Sequence, residues 1–414
     1  MLDAIDADEL LADLVELVAI PSVGGTVAET DAQRWCADRL QRLGCAVDLW
    51  PIDLRALRAD PDYPGEEVDR DEALGCVGTI GGSAEPALVL NGHVDVVPPA
   101  DLDAWPGRDP WTVRSDGDEH AGRGTCDMKA GVIAAMGAVA ALGRAGVELE
   151  QPLAVHTVVG EEDGGIGSLA TLRRGHRGSV CVIAEPTNGT VLAANAGSLT
   201  FHLEVRGRAT HGATRTRGVS ALHSAGPVFA ALERLEAERN ADPPPGFEHL
   251  DLAAPMSIGI VRAGDWASTV PDLLVAEGRY GVVPGEDIGA ARAAFERAVE
   301  QACGDDPWLA EHPVEVTWQG GVFAPGALPA GHPLGDQVAG AVADAGGRRP
   351  AVLGAPYGSD LRQYAAAGIP TVQYGPGDVR VAHAADEHVS LADMVLAART
   401  FALLALRLCA TRPR

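Results

Sequence analysis

Aromatic residues are scarce in this chain: Phe, Trp and Tyr together make up 4% of its 414 residues. A core of stacked rings is therefore not what the sequence builds; with 50 glycines, it calls for Ala/Val/Leu interiors and tight turns. Positive charge is also in deficit, with 32 Lys and Arg against 58 Asp and Glu, a formal charge of −26. That balance argues against nucleic acid or an anionic membrane as a partner and describes a solvated surface. The opening segment MLDAIDADELLADLVELVAI carries acids where a signal peptide needs Lys or Arg. Its Leu10, Leu14, Leu17 and Val18 recur at helical spacing and predict an amphipathic helix. No stretch approaches the ~20 apolar residues that span a bilayer. The seven cysteines (36, 45, 76, 126, 181, 303, 409) are odd in number and lack a C-x-x-C pair. They read as reduced thiols in a cytoplasmic protein rather than a disulfide framework. Internal repeats and low-complexity tracts are absent as well.

What is present is the texture of an α/β protein of two domains, as this length implies. Residues 30–44 read as a helix followed by a short strand, CAVDLW, and then a turn-rich stretch over 53–73 that wanders over the surface. From residue 87 apolar strands alternate with helices: ALVLNGHVDVV, MKAGVIAAMGAVAALGRAG, LAVHTVVGEE, SLATLRRG and SVCVIAEP. Continuous Val/Ile/Leu strands between helices predict a mostly parallel sheet covered on both faces, with ligands at the carboxyl ends of its strands. Near residue 194 the pattern changes to the alternation of SLTFHLEVRG, a helix over 219–239, two more strands (255–264 and 272–283) and a helix over 288–302. This predicts an inserted α+β domain over 194–311, with 1–193 and 312–414 closing as one domain around it.

Five segments each place a metal-type ligand at the end of an apolar run. They carry His93 and Asp95 (NGHVDVVP), Asp127 (GRGTCDMKAG), Glu161 and Glu162 (VVGEEDGG), Glu185 (VIAEPTN) and His383 (VAHAADEH). Two divalent metals sharing one carboxylate require an imidazole and a carboxylate each, plus the bridge; a further carboxylate is left to handle protons. Asp95 lies near enough to His93 to receive a hydrogen bond from its ring. Of the adjacent acids Glu161 and Glu162, one can bind metal while the other faces substrate as a general base. Cys126, among harder donors, reads as a buried structural thiol. Glu387 and His388 could supply a ligand, but their context is that of a solvated loop. His120, His156, His202 and His223 carry no motif and read as structural or exposed.

These motifs resemble the M20 metallopeptidase family, which includes acetylornithine deacetylases, succinyl-diaminopimelate desuccinylases, aminoacylases and glutamate carboxypeptidases. The resemblance runs from about residue 10 to the C-terminus. It implies one metal on His93, Asp127 and Glu185, and a second on Asp127, Glu162 and His383. The ions would be zinc, with cobalt or manganese compatible. It makes Glu161 the general base and Asp95 its supporting acid, and implies a cis peptide after Asp127. The insert resembles the family's lid, through which a homodimer forms. His211 in RATHGA matches an oxyanion-stabilising histidine, acting in its own subunit or its partner's, and Arg279 in EGRYGVVPG an arginine that holds the substrate carboxylate. Two departures fall on substrate recognition: Thr269 stands where relatives carry Asn, and Asp-x-Arg has become Glu277-Gly278-Arg279. The implied activity is removal of an acyl group from a small N-acyl amino acid. A dipeptidase or carboxypeptidase acting on short peptides is the alternative. A binding or assembly protein without turnover is disfavoured because every ligand and the base are present.

Overall fold

The computed structural model describes residues 1–410. It divides into two compact units: residues 1–194, 327–353 and 359–410, and residues 195–326 with 354–358. In chain order the first unit contributes β1 (Ala46–Pro51), β2 (Leu74–Ile80), β3 (Leu88–His93), β4 (Leu153–Val158), β5 (Cys181–Ile183) and β6 (Val191–Asn195). The second contributes β7 (Gly197–Arg206), β8 (Met256–Ala263), β9 (Leu273–Val282) and β10 (Glu315–Phe323), and β11 (Thr371–Gln373) returns to the first.

In the first unit the strand order is β1-β2-β4-β3-β5-β11-β6. The neighbours β4, β3, β5 and β11 run parallel, whereas β1/β2, β2/β4 and β11/β6 pair antiparallel. The sheet is therefore mixed: a parallel centre, as the apolar runs predict, with antiparallel flanks that those runs cannot reveal. All six residues of β3 and of β4 are buried, which is what strands covered on both faces require.

Helix α1 (Ala7–Val18) begins at Asp6, whose side chain accepts the Glu9 N–H, and buries Leu10, Leu14, Leu17 and Val18 along one face. Helix α2 (Ala28–Arg42) follows, and Gly44, in left-handed backbone (φ 86), ends it. Helix α3 (Ala130–Arg144) is made of small residues and is buried over most of its surface. The 20 residues Thr125–Arg144 (mean hydropathy 1.4) are long and apolar enough to cross a bilayer by composition, contrary to the sequence expectation. That window is 83% buried inside the protein, the condition of a core helix. At Gly131 a Cβ would collide with Ala184 O, so glycine lets the start of α3 press against the end of β5. That close approach brings the turn holding Asp127 beside the segment holding Glu185. Lys129, the only lysine in the chain, is fully buried and donates to Leu17 O (3.0 Å) and Ile20 O (2.8 Å), tying the same turn to the end of α1.

The second unit is an antiparallel sheet in the order β8-β9-β7-β10 with helices α4 (Ala221–Arg239) and α5 (Ile288–Gly304). Along β7 burial alternates strictly, with Leu199, Phe201, Leu203 and Val205 facing the core. Phe201, Tyr280, Phe295 and Trp318 pack there with ring centroids about 5 Å apart, concentrating some of the chain's few aromatics in one cluster. Strand β10 pairs with β7. A boundary at 311 assigns β10 to the wrong unit, because the partner that holds it lies more than a hundred residues earlier.

Candidate metal centre and active site

Three parallel strands end together. His93 closes β3 opposite Val158 of β4, and Ala184, just past β5, donates to Asn91 O. Beyond β4 the chain turns through Gly160 (φ 67), Glu161, Glu162, Asp163, Gly164 (φ 148) and Gly165 (φ 81). His93, Glu161, Glu162 and Glu185 thus stand at the carboxyl ends of the strands, where parallel sheets gather ligands. Asp127 arrives from the turn before α3, its bond to Met128 cis, and His383 (φ 63) from the returning chain.

The side chains converge on Asp127. Its Oδ1 lies 3.2 Å from His93 Nε2 and its Oδ2 lies 3.4 Å from His383 Nε2. His93 Nε2 is also 3.9 Å from Glu185, and His383 Nε2 is 3.1 Å from Glu162. Two groups result, His93–Asp127–Glu185 and Asp127–Glu162–His383, each with ligand atoms within 4.8 Å of one another. His93 Nδ1 donates to the backbone carbonyl of Asp95 (2.9 Å), which turns Nε2 toward the carboxylates. The Asp95 carboxylate stands 3.7 Å from the ring and accepts the Glu162 N–H (3.1 Å) instead. Asp95 thus orients His93 through its main chain and the Glu161–Glu162 turn through its side chain.

The cluster is short of positive charge. Burial, then Glu185 and Asp360, push the Glu161 carboxyl well above its ordinary value; burial and Asp127 raise Glu162, and burial raises Glu185. Asp127 goes the other way: burial opposes ionisation, but hydrogen bonds from His383 and His93 hold it low. His383, bonded to Asp127 and Glu162, is pushed up to about 10. Imidazoles that attract protons among four carboxylates, Glu161 and Glu185 buried and Asp127 and Glu162 half-buried, are the donor set of a divalent-metal site, and these residues fit two such ions sharing Asp127.

Several functional neighbours were not legible in the sequence. Glu387, read there as part of a solvated loop, is fully buried: its Oε1 accepts the N–H of Cys126 (3.0 Å) and Asp127 (3.1 Å), and Oε2 pairs with Arg123 at 2.5 Å. Arg123 also donates to His383 O (3.1 Å). His388 is not in a loop: it opens a short strand, paired antiparallel with Ala121, and is partly exposed with its ring bonded to Asp386 O. Cys126 is a buried thiol, as expected, and the other six cysteines are free as well. His156 is buried against Tyr364, His120 is buried beside Ser115, His202 is half-buried and His223 is exposed. A cavity of about 530 Å³ lined by Asp48, Thr79, His156 and His176 shares no residue with the cluster.

His211 and Arg279 belong to the second unit. His211 is exposed, and its Nδ1 accepts the Ala213 N–H (3.1 Å), which leaves Nε2 as the donor. Arg279 lies on β9, half-buried; it donates to Pro356 O (3.1 Å) and pairs with no carboxylate among the described residues. Its Nε is buried without a partner, and burial lowers its pKa.

The model of peptidase family M20/M25/M40 matches residues 89–407. The chain belongs to that family. It is a hydrolase acting on amide or peptide bonds. Among its relatives is N-formyl-4-amino-5-aminomethyl-2-methylpyrimidine deformylase of Bacillus subtilis, 27% identical, with 88% of this chain and 85% of that protein aligned. Succinyl-diaminopimelate desuccinylase of Methylorubrum extorquens is 30% identical over 91% of this chain and 93% of its own length. In fold, the chain is similar to a tripeptidase from Staphylococcus aureus (TM-score 0.74, 20% identity, 97% of this chain and 99% of that one).

Proposed function

We propose that this M20 hydrolase removes the acyl group from an N-acyl amino acid and works with two divalent metals, zinc or, compatibly, cobalt or manganese. His93, Asp127 and Glu185 would hold one ion, and Asp127, Glu162 and His383 the other. The observation that carries this reading is the division of Asp127, whose two carboxylate oxygens face two different imidazoles. When bound, the ions would polarise the amide carbonyl and lower the pKa of water from near 16 to around 7.

The protein's own groups supply the rest. Glu161 is buried among carboxylates that raise its proton affinity, so it is suited to take the proton of the attacking water and return it to the leaving amine. Asp95 holds His93 and the Glu161–Glu162 turn in register. His211, with Nδ1 occupied and Nε2–H free to donate, is suited to donate to the developing oxyanion, and Arg279, a desolvated cation lacking an acidic partner among the described residues, to receive the substrate carboxylate. The second unit would serve as lid and as the interface of a homodimer. Seven unpaired cysteines support a reducing, cytoplasmic setting.

A second reading, deformylation of an amine without a carboxylate, is favoured by the 27% identity to the pyrimidine deformylase. A panel of N-acetyl, N-succinyl and N-formyl amino acids, dipeptides and an N-formylaminomethyl pyrimidine, assayed with Zn²⁺ or Co²⁺ after chelation, tests both. Metal-dependent turnover of acyl amino acids is expected. Turnover confined to the pyrimidine or to dipeptides would replace the substrate assignment, and no turnover of any amide would overturn the reading.

A further inference from the structure

The turn carrying Glu161 and Glu162 lacks regular secondary structure and includes three glycines in left-handed or otherwise glycine-favoured backbone. Such a segment has many conformations open to it, so something outside it must select one. Within it only Gly164 N–H to Glu161 O (3.2 Å) and Gly165 N–H to Gly160 O (2.5 Å) close the chain on itself. The selection comes from Arg70, a residue of the stretch expected to wander over the surface and yet 3% exposed. Its guanidinium grips Asp163 through both oxygens (2.8 and 2.9 Å). On its other edge it is held by Glu29 at the start of α2 (2.9 and 3.0 Å). Glu29 in turn accepts the Gly25 N–H (2.8 Å). The guanidinium also packs on the turn's first residue: a Cβ at Gly160 would stand 3.1 Å from Arg70 Cζ. From the other side Arg362 and Gln363 donate to the carbonyls of Gly164 and Gly165.

A buried Arg between two carboxylates adds little net stability compared with an apolar replacement of the same shape, but its planar fork fixes geometry. We infer that Arg70 is a positioning residue: by clamping Asp163 and covering Gly160, it sets where Glu161 and Glu162 stand relative to Asp127. The inference rests on the roles given above to Glu161 as base and Glu162 as ligand. Arg70 touches neither substrate nor metal and acts through the turn.

The test uses the full-length enzyme with Asp163→Asn, which keeps shape and removes half of the clamp, and Arg70→Lys, which keeps charge and removes the fork. Arg39→Ala, which breaks the pairing of α2 with Glu9 and Asp13, is a destabilised control elsewhere in the same unit. In both clamp variants the amides of 161–165 should exchange hydrogen faster in metal-free protein. Zinc should pass to a competing chelator ~10–100-fold more readily. The kcat should fall ~10–10²-fold with KM little changed, as for misplaced catalytic groups. Arg70→Lys should recover part of what Arg70→Met loses. Exchange and zinc retention are read without turnover, so they judge the clamp even where the substrate assignment fails. If Asp163→Asn and Arg70→Lys lowered thermal stability like Arg39→Ala but left exchange, zinc retention and kcat unchanged, Arg70 would be a structural ion pair only.

Discussion

The N–H of Asp127 donates to Glu387 Oε1 at 3.1 Å, and the neighbouring Cys126 N–H donates to the same oxygen at 3.0 Å. Glu387 lies four residues beyond His383, and Arg123, which pairs with Glu387, also donates to His383 O. One buried ion pair therefore fixes the backbone on both sides of the Asp127–His383 contact. Glu387→Gln keeps the shape but removes the charge that compensates Arg123. Zinc affinity should fall ~10–100-fold, the range for lost support of a metal ligand. Competition with a chelator measures it, and unchanged retention would show that the loop needs no such anchor.

The adjacent acids should separate by function. Glu161→Gln should keep metal while lowering kcat by at least ~10², as expected for a lost general base. Glu162→Gln should instead lower metal occupancy. Metal analysis beside steady-state kinetics distinguishes them, and occupancy that depended on Glu161 would reverse the two assignments.

The proposed roles in the second unit predict different kinetic signatures. His211→Ala should reduce kcat ~10²–10³-fold with little change in KM, because an oxyanion donor acts mainly in the transition state. Arg279→Ala should chiefly raise KM for carboxylate-bearing substrates. If His211→Ala left kcat intact and Arg279→Ala left KM intact, neither residue would belong to the reaction.

Acid sensitivity should have a component remote from the metal ligands. His156 is fully buried, with Nδ1 bonded to the Tyr364 hydroxyl (2.8 Å); burial, then His176, push its pKa down to about 3. An unfolded His titrates near ~6.5, so the unfolded chain binds this proton first as the pH falls. The contribution of His156 to stability is therefore complete above ~6.5 and is lost as the pH falls toward 3, by about 1.4 kcal/mol per unit. In urea unfolding of metal-free protein between pH 7.5 and 4.5, His156→Asn should lose less stability than the wild type. Equal losses would mean that the imidazole is not the group responsible.

Much of the donor cluster was legible because His93, Glu161, Glu162 and Glu185 follow strand ends and stand in compact motifs. NGHVDVVP, GEEDGG and AEPTN each join an apolar run to a carboxylate or imidazole. The grouping of His93, Asp127 and Glu185, and of Asp127, Glu162 and His383, appears in the fold. What escaped was burial conferred by partners distant in sequence. Arg70 stands in a strongly charged stretch and reads as surface, yet the carboxylates it hydrogen-bonds lie 41 and 93 residues away. Glu387, flanked by Asp386 and His388, reads as solvated, but its donors lie about 260 residues earlier. Strand direction escaped for a related reason: an apolar run is the same whether its neighbour is parallel or antiparallel, so the reversed flank at β1 and β2 was hidden. The apolarity of α3 is easily underrated in the sequence, because Ala and Gly make a long run look modest.

In the proposed function one carboxylate, Asp127, joins two metal sites that together hydrolyse an amide. Stepwise return of Zn²⁺ to chelated enzyme, with bound metal and hydrolysis of an N-acyl amino acid followed in the same samples, tests it most directly. Full activity is expected at two ions per chain, and in Asp127→Ala the loss of both tight sites together with turnover. Full activity of the wild type with one ion or none, or an Asp127→Ala variant that still holds two ions and turns over, would contradict it.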